Sequence, residues 1–481
     1  MTRTSLTGWG RTNPSAAEVV ELFRAEIPAV LKEVGDRGAL VRGLGRSYGD
    51  AAQNGGGLVI KLMGSATDAV LDRQAGTVNV SAGASLDELL RCLVPRGFFV
   101  PVTPGTRFVT IGGAIASDIH GKNHHADGSF GNHVTRMSLQ LADGSVAEVG
   151  PDRDPDLFWA TIGGMGLTGI VLDATINLLR IESSRMAVDT HRLPDLDTLM
   201  ETMSDGDDDA HRYSVAWIDL AAKGSHLGRS VLTRGDHARF DQLAAKHQSD
   251  PLAYAPDQLV SVPPIIPRPG VLNHVTVAAF NELWFRKAPK RKIGGIESIS
   301  SFFHPLDMVG QWPRFYGRPG LVQYQLVVPF GQEDTMRRIV ERVAASGAAS
   351  FLAVLKRFGQ GNAAPLSFPQ AGWTLALDMP GGAPDLAALL HGLDDMVLDA
   401  GGRNYFAKDA HTVPETIRSG YPRLAEWQAV RHRVDPLGVW QSDLGRRLHL
   451  AGDADPSSST RISAGAPPHS LDWNHHGQRF R

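Results

Sequence analysis

Short apolar runs separated by glycine-rich turns dominate the first third of the chain. Short apolar runs at residues 39–42 and 58–62 and an alternating segment at residues 77–81 predict three short strands. Upstream, Pro14 precedes apolar residues at helical intervals, which predict a helix ending near Gly35. The apolar positions of that predicted helix are Ala17, Val20, Leu22, Phe23, Ile27, Val30 and Leu31.

Local signals add a helix and a hairpin. Ser85 and Glu88 have the spacing of a capping box, and the apolar positions after Ser85 predict a helix over residues 86–93. Asp143-Gly144 separates two apolar runs, 137–141 and 146–149, and predicts a β-hairpin. This mixture of short strands and helices predicts an α+β fold.

The pattern changes after about residue 184. Glycine becomes rarer, and longer alternating segments at residues 322–329, 351–356 and 373–378 predict strands with helices between them. Six prolines between residues 251 and 270 exclude a regular helix there and predict a long loop. Residues 451–481 are rich in Ser, Pro, Gly and His, and we expect a disordered tail.

Size, charge and cysteine content narrow the class of protein. The 481 residues suggest about two to three domains. Lys and Arg total 48 against 51 Asp and Glu, so no global positive charge attracts nucleic acid. The single cysteine, Cys92, excludes an intramolecular disulfide and a cysteine-based metal site. We find no signal peptide and no apolar run long enough to span a membrane, and we expect a soluble or peripheral protein.

Two glycine-rich segments are candidates for binding a phosphate group. Residues 42–50 (RGLGRSYGD) follow a predicted strand, and such a turn exposes successive backbone amides, although an ordinary glycine turn would look the same. Residues 104–106 (PGT) and 110–114 (TIGGA) form the second segment. It leads into a polar loop with His120, His124, His125 and His133, for which a metal site is an alternative that no carboxylate completes.

A third glycine-rich segment excludes one class of dinucleotide site. Residues 164–169 (GMGLTG) formally match G-x-G-x-x-G. A predicted helix precedes them and a predicted strand follows, which is the reverse of a nicotinamide-binding Rossmann turn. We therefore reject a nicotinamide-binding interpretation of this segment.

Two positively charged features lie later in the chain. Lys408 precedes a possible capping box formed by Thr412 and Glu415. A lysine at such a transition from strand to helix can point into a cleft, although a solvent-exposed surface lysine is the simpler interpretation. Residues 284–292 (WFRKAPKRK) combine five cations with two aromatic rings, which suits a phosphate group or an anionic lipid surface as well as a solvated loop.

Taken together, the R-G-x-G-x-S loop, the P-G-T…G-G segment and the G-G-x-G-x-x-G-I element resemble the vanillyl-alcohol-oxidase-type flavoproteins. The resemblance implies a two-domain α+β fold of the vanillyl-alcohol-oxidase/PCMH type, with FAD as cofactor and an antiparallel-sheet substrate domain. It implies an FAD-binding domain at residues 6–184, to which residues 403–450 return, and a substrate domain at 185–402. Many members link a histidine covalently to the flavin; this chain has Arg46 there, so we expect non-covalent FAD.

Longer strings, among them LTGWGRT, IHGKNHH, FFHPLDM and DPLGVWQSDLGRRL, are similar to the family members that oxidise a lipid-linked ribose. The resemblance implies oxidation of the 2′-hydroxyl of a polyprenylphosphoryl-ribose to a ketone. A partner NAD(P)H-dependent reductase would complete the epimerisation to the arabinose donor for cell-wall arabinan. It also implies peripheral contact with the inner membrane, on the cytoplasmic or the periplasmic face. Alternatives are a flavoenzyme that oxidises a soluble sugar, alditol or aldonolactone, and a catalytically silent flavin-binding subunit.

The resemblance assigns roles residue by residue. Lys408 would take the hydroxyl proton, with His120 bonded to the same region. The expected FAD contacts are Val41, Arg42, Gly43, Leu44, Gly45, Arg46, Ser47, Tyr48, Gly49, Asp50, Ala51, Gly105, Thr110, Ile111, Gly112, Gly113, Ser117, Asp118, Ile119, His120, Val171 and Tyr405. The expected substrate contacts are Tyr48, Lys122, Trp217, Gln323, Gln325, Lys356, Thr374 and Ala376. Phe303, Thr374 and Ala376 replace a tyrosine, an asparagine and a cysteine of the family.

Overall fold

The computed structural model describes residues 2–256, 260–263, 274–348 and 350–451, and the elements given below lie within these ranges. Of the predicted disordered tail at residues 451–481, residues 452–481 lie outside the described residues. Residues 257–259 and 264–270 of the predicted proline-rich loop also lie outside them. The described parts of that loop contain no helix.

Two sheets form the first part of the molecule. Their strands, together with the short pair β7 and β11, are β1 (Thr2–Leu6), β2 (Ser15–Leu22), β3 (Ala39–Val41), β4 (Leu58–Leu62), β5 (Val70–Asp72), β6 (Thr77–Ser81), β7 (Phe98–Phe99), β8 (Val134–Gln140), β9 (Val146–Val149), β10 (Ile170–Asn177) and β11 (Leu179–Arg180). The first sheet has the order β1-β2-β4-β3, with β2, β4 and β3 parallel. The second is antiparallel in the order β5-β6-β10-β8-β9. The strands predicted at residues 58–62 and 77–81 and the hairpin around Asp143-Gly144 are confirmed.

A long antiparallel sheet forms the second part. Its strands, together with the short pair β15 and β17, are β12 (Arg185–Leu193), β13 (Tyr213–Ile218), β14 (Ser230–His237), β15 (Val260–Ser261), β16 (Arg291–Ser298), β17 (Val309–Gly310), β18 (Leu321–Pro329), β19 (Ala353–Phe358), β20 (Gly372–Pro380) and β21 (Arg403–Asn404). The order in the long sheet is β16-β12-β14-β13-β19-β20-β18-β21. Together with the two sheets of the first part, it confirms the expected α+β architecture with a large antiparallel sheet.

Helices cover the sheets and the loops between them. They are α1 (Ile27–Leu31), α2 (Leu86–Leu93), α3 (Ile111–Ala116), α4 (His124–Asp127), α5 (Pro155–Thr161), α6 (Leu196–Ser204), α7 (Ala245–Gln248), α8 (His274–Lys287), α9 (Ile299–Phe303), α10 (Glu333–Ser346), α11 (Leu386–Asp399), α12 (Pro414–Gly420), α13 (Leu424–Val434) and α14 (Asp443–Arg447). The capping box at Ser85 is confirmed, because the Ser85 hydroxyl accepts from the Glu88 amide and Glu88 reaches back to the Ser85 amide. Among the described residues, no helix combines the length and the apolar character needed to cross a membrane.

Side chains along each strand of the long sheet alternate between two faces. One face packs in a hydrophobic core, and we call the opposite one the open face. Trp373, Leu375 and Leu377 of β20 pack in one core with apolar residues of α6, α10 and α11. Thr374, Ala376 and Asp378 therefore lie on the opposite face of the same strand. This confirms the predicted division of the strand into two faces, and it places the open face toward the first part of the molecule.

The helix predicted between Pro14 and Gly35 is wrong over its first half. Residues 15–22 form strand β2, which pairs with β1 on one side and β4 on the other, and only Ile27–Leu31 are α-helical. Ala17 and Leu22 are buried and Glu18 and Glu21 are exposed, so burial along this segment does not follow a strict alternation. Backbone hydrogen bonds to two neighbouring strands decide in favour of the strand.

The capping box predicted at Thr412 and Glu415 is also wrong. Helix α12 begins at Pro414 with Val413 as N-cap, because proline lacks an amide hydrogen and suits the first helical position. The Thr412 amide donates instead to the Asp409 carboxylate at 2.8 Å. This turn fixes the chain that follows Lys408.

Candidate active site

A cavity of about 760 Å³ lies between the glycine-rich loops and the open face of the long sheet. Its volume is in the range of ligand and cofactor sites. Its lining includes most of the predicted cofactor and substrate residues: Val41, Arg42, Gly43, Leu44, Gly45, Arg46, Ser47, Tyr48, Ala51, Gly105, Thr110, Gly112, Gly113, Ser117, Ile119, His120, Lys122, Val171, Trp217, Gln323, Gln325, Lys356, Ala376, Tyr405 and Lys408. The fold thus brings together residues that lie more than 350 positions apart in the chain.

The loop after β3 presents backbone amides to the cavity. The Arg42 amide donates to Ile60 and the Tyr48 amide donates to Ala407, whereas the five amides between them, at residues 43–47, have no acceptor within the described parts of the chain. Gly45 has a φ of +64°, which favours glycine. The Arg42 guanidinium holds the loop by donating to the carbonyls of Thr7 and Ala52 at 2.8 and 2.6 Å.

The other glycine-rich segments bring bare backbone to the same cavity. A Cβ atom on Gly43 would lie 2.3 Å from the Thr110 hydroxyl oxygen, so the two loops approach each other closely because glycine is present. Gly166 and Gly169 line the cavity from the segment between α5 and β10. Free amides next to close-packed glycines fit the pyrophosphate of a dinucleotide such as FAD.

Five of the predicted contact residues do not line the cavity. Ile111 is fully buried in the core, and Asp118 is enclosed by Ser129, Gly131 and Ser367, which donate to its carboxylate. The other three are Gly49, Asp50 and Thr374. They lie behind the lining: Gly49 packs against the Asp409 carbonyl, Asp50 pairs with Arg447, and Thr374 donates to the Leu326 carbonyl at 2.8 Å.

Arg46 lies where the family's flavin-linking histidine was expected. Its guanidinium carbon is 3.7 Å from the ring centroid of Trp9, and its Nε donates to the Phe108 carbonyl at 3.1 Å. Burial lowers the pKa of Arg46, and the nearby Asp307 carboxylate opposes this change. The side chain is held in place by stacking and a hydrogen bond.

Lys408 lies at the wall of the cavity, buried beside charged neighbours. Its Nζ is 4.1 Å from the ring centroid of Tyr48. Burial lowers the pKa of Lys408 to about 7, and the charge of Lys356 acts in the same direction, whereas the Asp378 carboxylate raises it. The lowered pKa favours the uncharged form of Lys408, which is the form that can accept a proton.

His120 is a neutral imidazole in the same wall. Burial, followed by the charges of Lys356 and other neighbours, keeps its pKa well below the usual value. Its Nε2 accepts from Gln325 Nε2 at 3.0 Å, which places the ring proton on Nδ1. Nδ1 is buried and has no hydrogen-bond partner among the described residues.

Two further lysines, Lys356 and Lys122, line the cavity. Lys356 lies on β19, and burial lowers its pKa to about 8. Lys122 lies 4.1 Å from the Phe302 ring centroid and donates to the Phe302 carbonyl; burial lowers its pKa to about 7. Because burial of their charged forms is unfavourable, both lysines favour an anionic ligand.

Asp378 is a candidate functional residue that the sequence analysis missed. It pairs with Gln323 across β18 and β20, and Gln323 Nε2 donates to its carboxylate. Burial raises the pKa of Asp378 to about 7, opposed by the Gln323 hydrogen bond and by the charge of Lys408. The sequence did contain a signal for this residue. Asp378 comes two residues after Ala376, which was already assigned to the pocket, and residues two apart on a strand lie on the same face.

The remaining histidines and Phe303 have other surroundings. His124 Nδ1 accepts from the Gly359 amide at 3.1 Å, and His125 Nε2 lies 3.0 Å from the His211 carbonyl. Phe303 lines the cavity and stacks near Phe99, with ring centroids 5.3 Å apart. It supplies an apolar surface where the family has a tyrosine hydroxyl.

Comparisons with known proteins agree with this geometry. Residues 24–150 match the family described as FAD binding domain. The chain is 47% identical over 450 residues to decaprenylphosphoryl-beta-D-ribose oxidase of Mycolicibacterium smegmatis, a match that spans 92% of this chain and 97% of that protein. It is 40% identical over 376 residues to an uncharacterized protein in the mprA 5′ region of Streptomyces coelicolor, which spans 76% of this chain and all of that protein.

The fold, the cavity and the FAD binding domain together define an FAD-dependent oxidoreductase. More narrowly, the chain belongs to the decaprenylphosphoryl-β-D-ribose oxidase family.

Proposed function

We propose that the protein oxidises the 2′-hydroxyl of decaprenylphosphoryl-β-D-ribose to a ketone. The observation that carries this proposal is a buried lysine with a pKa near 7, Lys408, in the same cavity wall as neutral His120. Oxidation of a secondary alcohol removes the hydroxyl proton and, from the carbon, a hydride, so that a C=O bond forms. FAD, when bound, supplies the acceptor for the hydride.

In this proposal Lys408 accepts the 2′-hydroxyl proton in its uncharged form. The neutral imidazole of His120 would line the sugar site, with its Nε2 held by Gln325. Gln325 is held in turn by Thr374 Oγ1 at 3.2 Å, so the hydrogen-bonded chain Thr374–Gln325–His120 fixes the orientation of the imidazole.

Lys356 and Lys122 would bind the phosphate of the lipid-linked sugar. Both are buried in the wall with lowered pKa values, and a phosphodiester anion would restore their positive charge. Gln323, Trp217 and Ala376 would complete the sugar site on the open face of the long sheet. A soluble polyol would bring no negative charge to these two lysines.

We also propose that FAD binds non-covalently. Arginine does not form the flavin link that histidine makes in related proteins, and Arg46 is already stacked on Trp9. The free amides of residues 43–47 would receive the pyrophosphate. The lining residues assigned to FAD would contact it directly, and the five residues behind the lining would hold those contacts in place.

The domain organisation and partners follow from the same assignment. Residues 6–184 and 403–450 would form the FAD-binding domain, and residues 185–402 would form the substrate domain. The bridge between Ala39 and Trp440 supports the return of the C-terminal segment to the first sheet. A reductase that uses NAD(P)H would reduce the ketone, and peripheral contact with the inner membrane would give access to the lipid substrate.

The direct test is identification of the product. The holoenzyme is incubated with a prenylphosphoryl-ribose and an artificial electron acceptor, and the lipid is analysed by mass spectrometry. We expect a product lighter by two hydrogen atoms that can be trapped by a carbonyl reagent. Unchanged lipid, together with oxidation of free ribose or a soluble alditol, would contradict the assignment of the substrate.

A further inference from the structure

Helix α8 carries four large apolar residues on the side that faces solvent, whereas Val277 is buried on the opposite side. Val275 and Leu283 are 72% and 68% exposed, and Phe280 and Trp284 are also exposed. The opposite side of the helix contains Asn281, which is fully buried and donates to the Asp219 carboxylate at 2.7 Å. A helix on the surface of a water-soluble domain normally has the reverse arrangement.

The exposed residues form an organised patch. The rings of Phe280 and Trp284 stack with centroids 6.0 Å apart, and Phe351 meets Phe280 edge-on at 5.8 Å. We name the exposed residues Val275, Phe280, Leu283 and Trp284 the α8 face.

Positive charge surrounds the α8 face. The cations at the end of α8 and the start of β16 are all exposed: Arg286, Lys287, Lys290, Arg291 and Lys292. The neighbouring acidic residue Glu282 pairs with Arg229 at 2.6 Å and with Arg286, so its charge is neutralised. An apolar surface bordered by lysine and arginine is complementary to a bilayer that contains anionic lipids.

The α8 face is continuous with the opening of the cavity. Trp284 belongs both to the face and to the lining of the cavity. Trp312, which also lines the cavity, meets Phe351 edge-on with ring centroids 6.3 Å apart, and Phe351 in turn contacts Phe280 of the face. Aromatic side chains therefore connect the α8 face with the lining of the cavity.

We propose that the α8 face is a docking surface for an anionic lipid bilayer, and that it positions the opening of the cavity at the membrane surface. This inference rests on the proposed function, because a lipid-linked substrate gives membrane docking its purpose. It goes further in assigning the contact to particular residues.

The test uses the full-length holoenzyme and vesicles of phosphatidylcholine with or without phosphatidylglycerol. We expect the protein to sediment with the anionic vesicles and to be released by high salt. The double variant Val275→Glu/Leu283→Glu should bind these vesicles at least about tenfold more weakly, because it places two negative charges on the face. Leu437→Glu, at an 89% exposed leucine outside the face, should bind like the wild type.

Two outcomes would overturn the docking proposal. One is equal vesicle binding by the wild type and the double variant. The other is a wild type that binds no vesicles but forms a dimer, seen by light scattering, which the double variant does not form. In that case the face would join two copies of the chain. Flavin reduction by detergent-dispersed substrate tests the proposed function separately. A double variant that keeps this reduction but loses vesicle binding supports the docking proposal. A wild type that binds vesicles but whose flavin no substrate reduces refutes only the proposed function.

Discussion

At the scale of single residues, the proposed chemistry involves three buried ionisable groups that influence one another. Lys408 has a pKa of about 7, Asp378 has a pKa of about 7, and Lys356 has a pKa of about 8. Burial is the largest cause in each case, and the charges of the neighbours then adjust the values. Lys408 and Asp378 titrate as a coupled pair, so replacing one changes the protonation of the other.

Replacing Lys408 tests its role as the proton acceptor. Lys408→Ala should retain FAD and reduce the rate of flavin reduction by about 10²–10⁴-fold, because it removes the general base. Lys408→Arg should also fail, since a guanidinium keeps its proton at neutral pH. Stopped-flow measurement of flavin reduction checks both variants, and a rate for the alanine variant within about threefold of the wild type would remove Lys408 from this role.

The pH profile tests the influence of Asp378. The base acts when deprotonated, so the rate of flavin reduction should rise with pH through about 7. The Asp378 carboxylate raises the pKa of Lys408, and Asp378→Asn should therefore move the midpoint of the rise to lower pH, by about one unit. Asp394→Asn is the matched control, because that buried carboxylate bonds to Tyr324 and Asn404 instead. A midpoint that stays in place in Asp378→Asn would refute the coupling.

Acid precipitation tests the attachment of FAD. Because Arg46 occupies the position of the flavin-linking histidine, denaturation should release all the flavin into the supernatant. The absorbance of supernatant and pellet measures the distribution. Flavin that remains bonded to the pellet would contradict non-covalent binding.

At the scale of secondary-structure elements, an ion pair anchors the chain that carries Lys408. Arg447 of α14 pairs with Asp50 at 2.7 Å and with Asp409 at 2.8 Å, and it donates to the Thr412 carbonyl at 2.7 Å. Burial would raise the pKa of Asp409, but the Arg447 charge and backbone hydrogen bonds lower it. This contact joins the first glycine-rich loop, the Lys408 turn and the C-terminal helix.

Removing this anchor should destabilise the protein. Arg447→Met leaves the buried Asp409 carboxylate without its cation, and we expect the free energy of unfolding to fall by about 2–3 kcal/mol. The loss is below that of a fully enclosed pair, because the Arg447 side chain is 27% exposed. Arg418→Met removes an exposed pair with Glu415 and should cost less than about 1 kcal/mol. Equal denaturation midpoints for the two variants would contradict the anchoring role.

Local patterns in the sequence predicted some elements and missed others for identifiable reasons. The capping box at Ser85 and the hairpin at Asp143-Gly144 depend on neighbouring residues, and both were correct. Strand β2 was taken for part of a helix, because its character depends on β1 and β4, which the local pattern does not contain. The turn after Lys408 was misplaced because Pro414 and Asp409 together define the start of the helix.

At the scale of the whole molecule, the cavity brings together residues that no local pattern connects. Resemblance to a family placed Lys408, His120 and the glutamines of β18 in one site, and the fold places them around one cavity. It did not indicate Asp378, whose partner Gln323 comes from an adjacent strand. It also did not separate the lining residues from those behind them, such as Asp118 and Ile111, because burial depends on the packing of distant segments.

The measurement that tests the central claim most directly is anaerobic mixing of the FAD-loaded protein with a prenylphosphoryl-ribose, followed by the flavin absorbance. The account predicts that the lipid-linked ribose bleaches the flavin, whereas free ribose and a soluble alditol at the same concentration do not. Lys408→Ala serves as the control for a reaction that depends on the site. Bleaching by a soluble polyol without bleaching by the lipid-linked ribose, or no bleaching by either, would contradict the account.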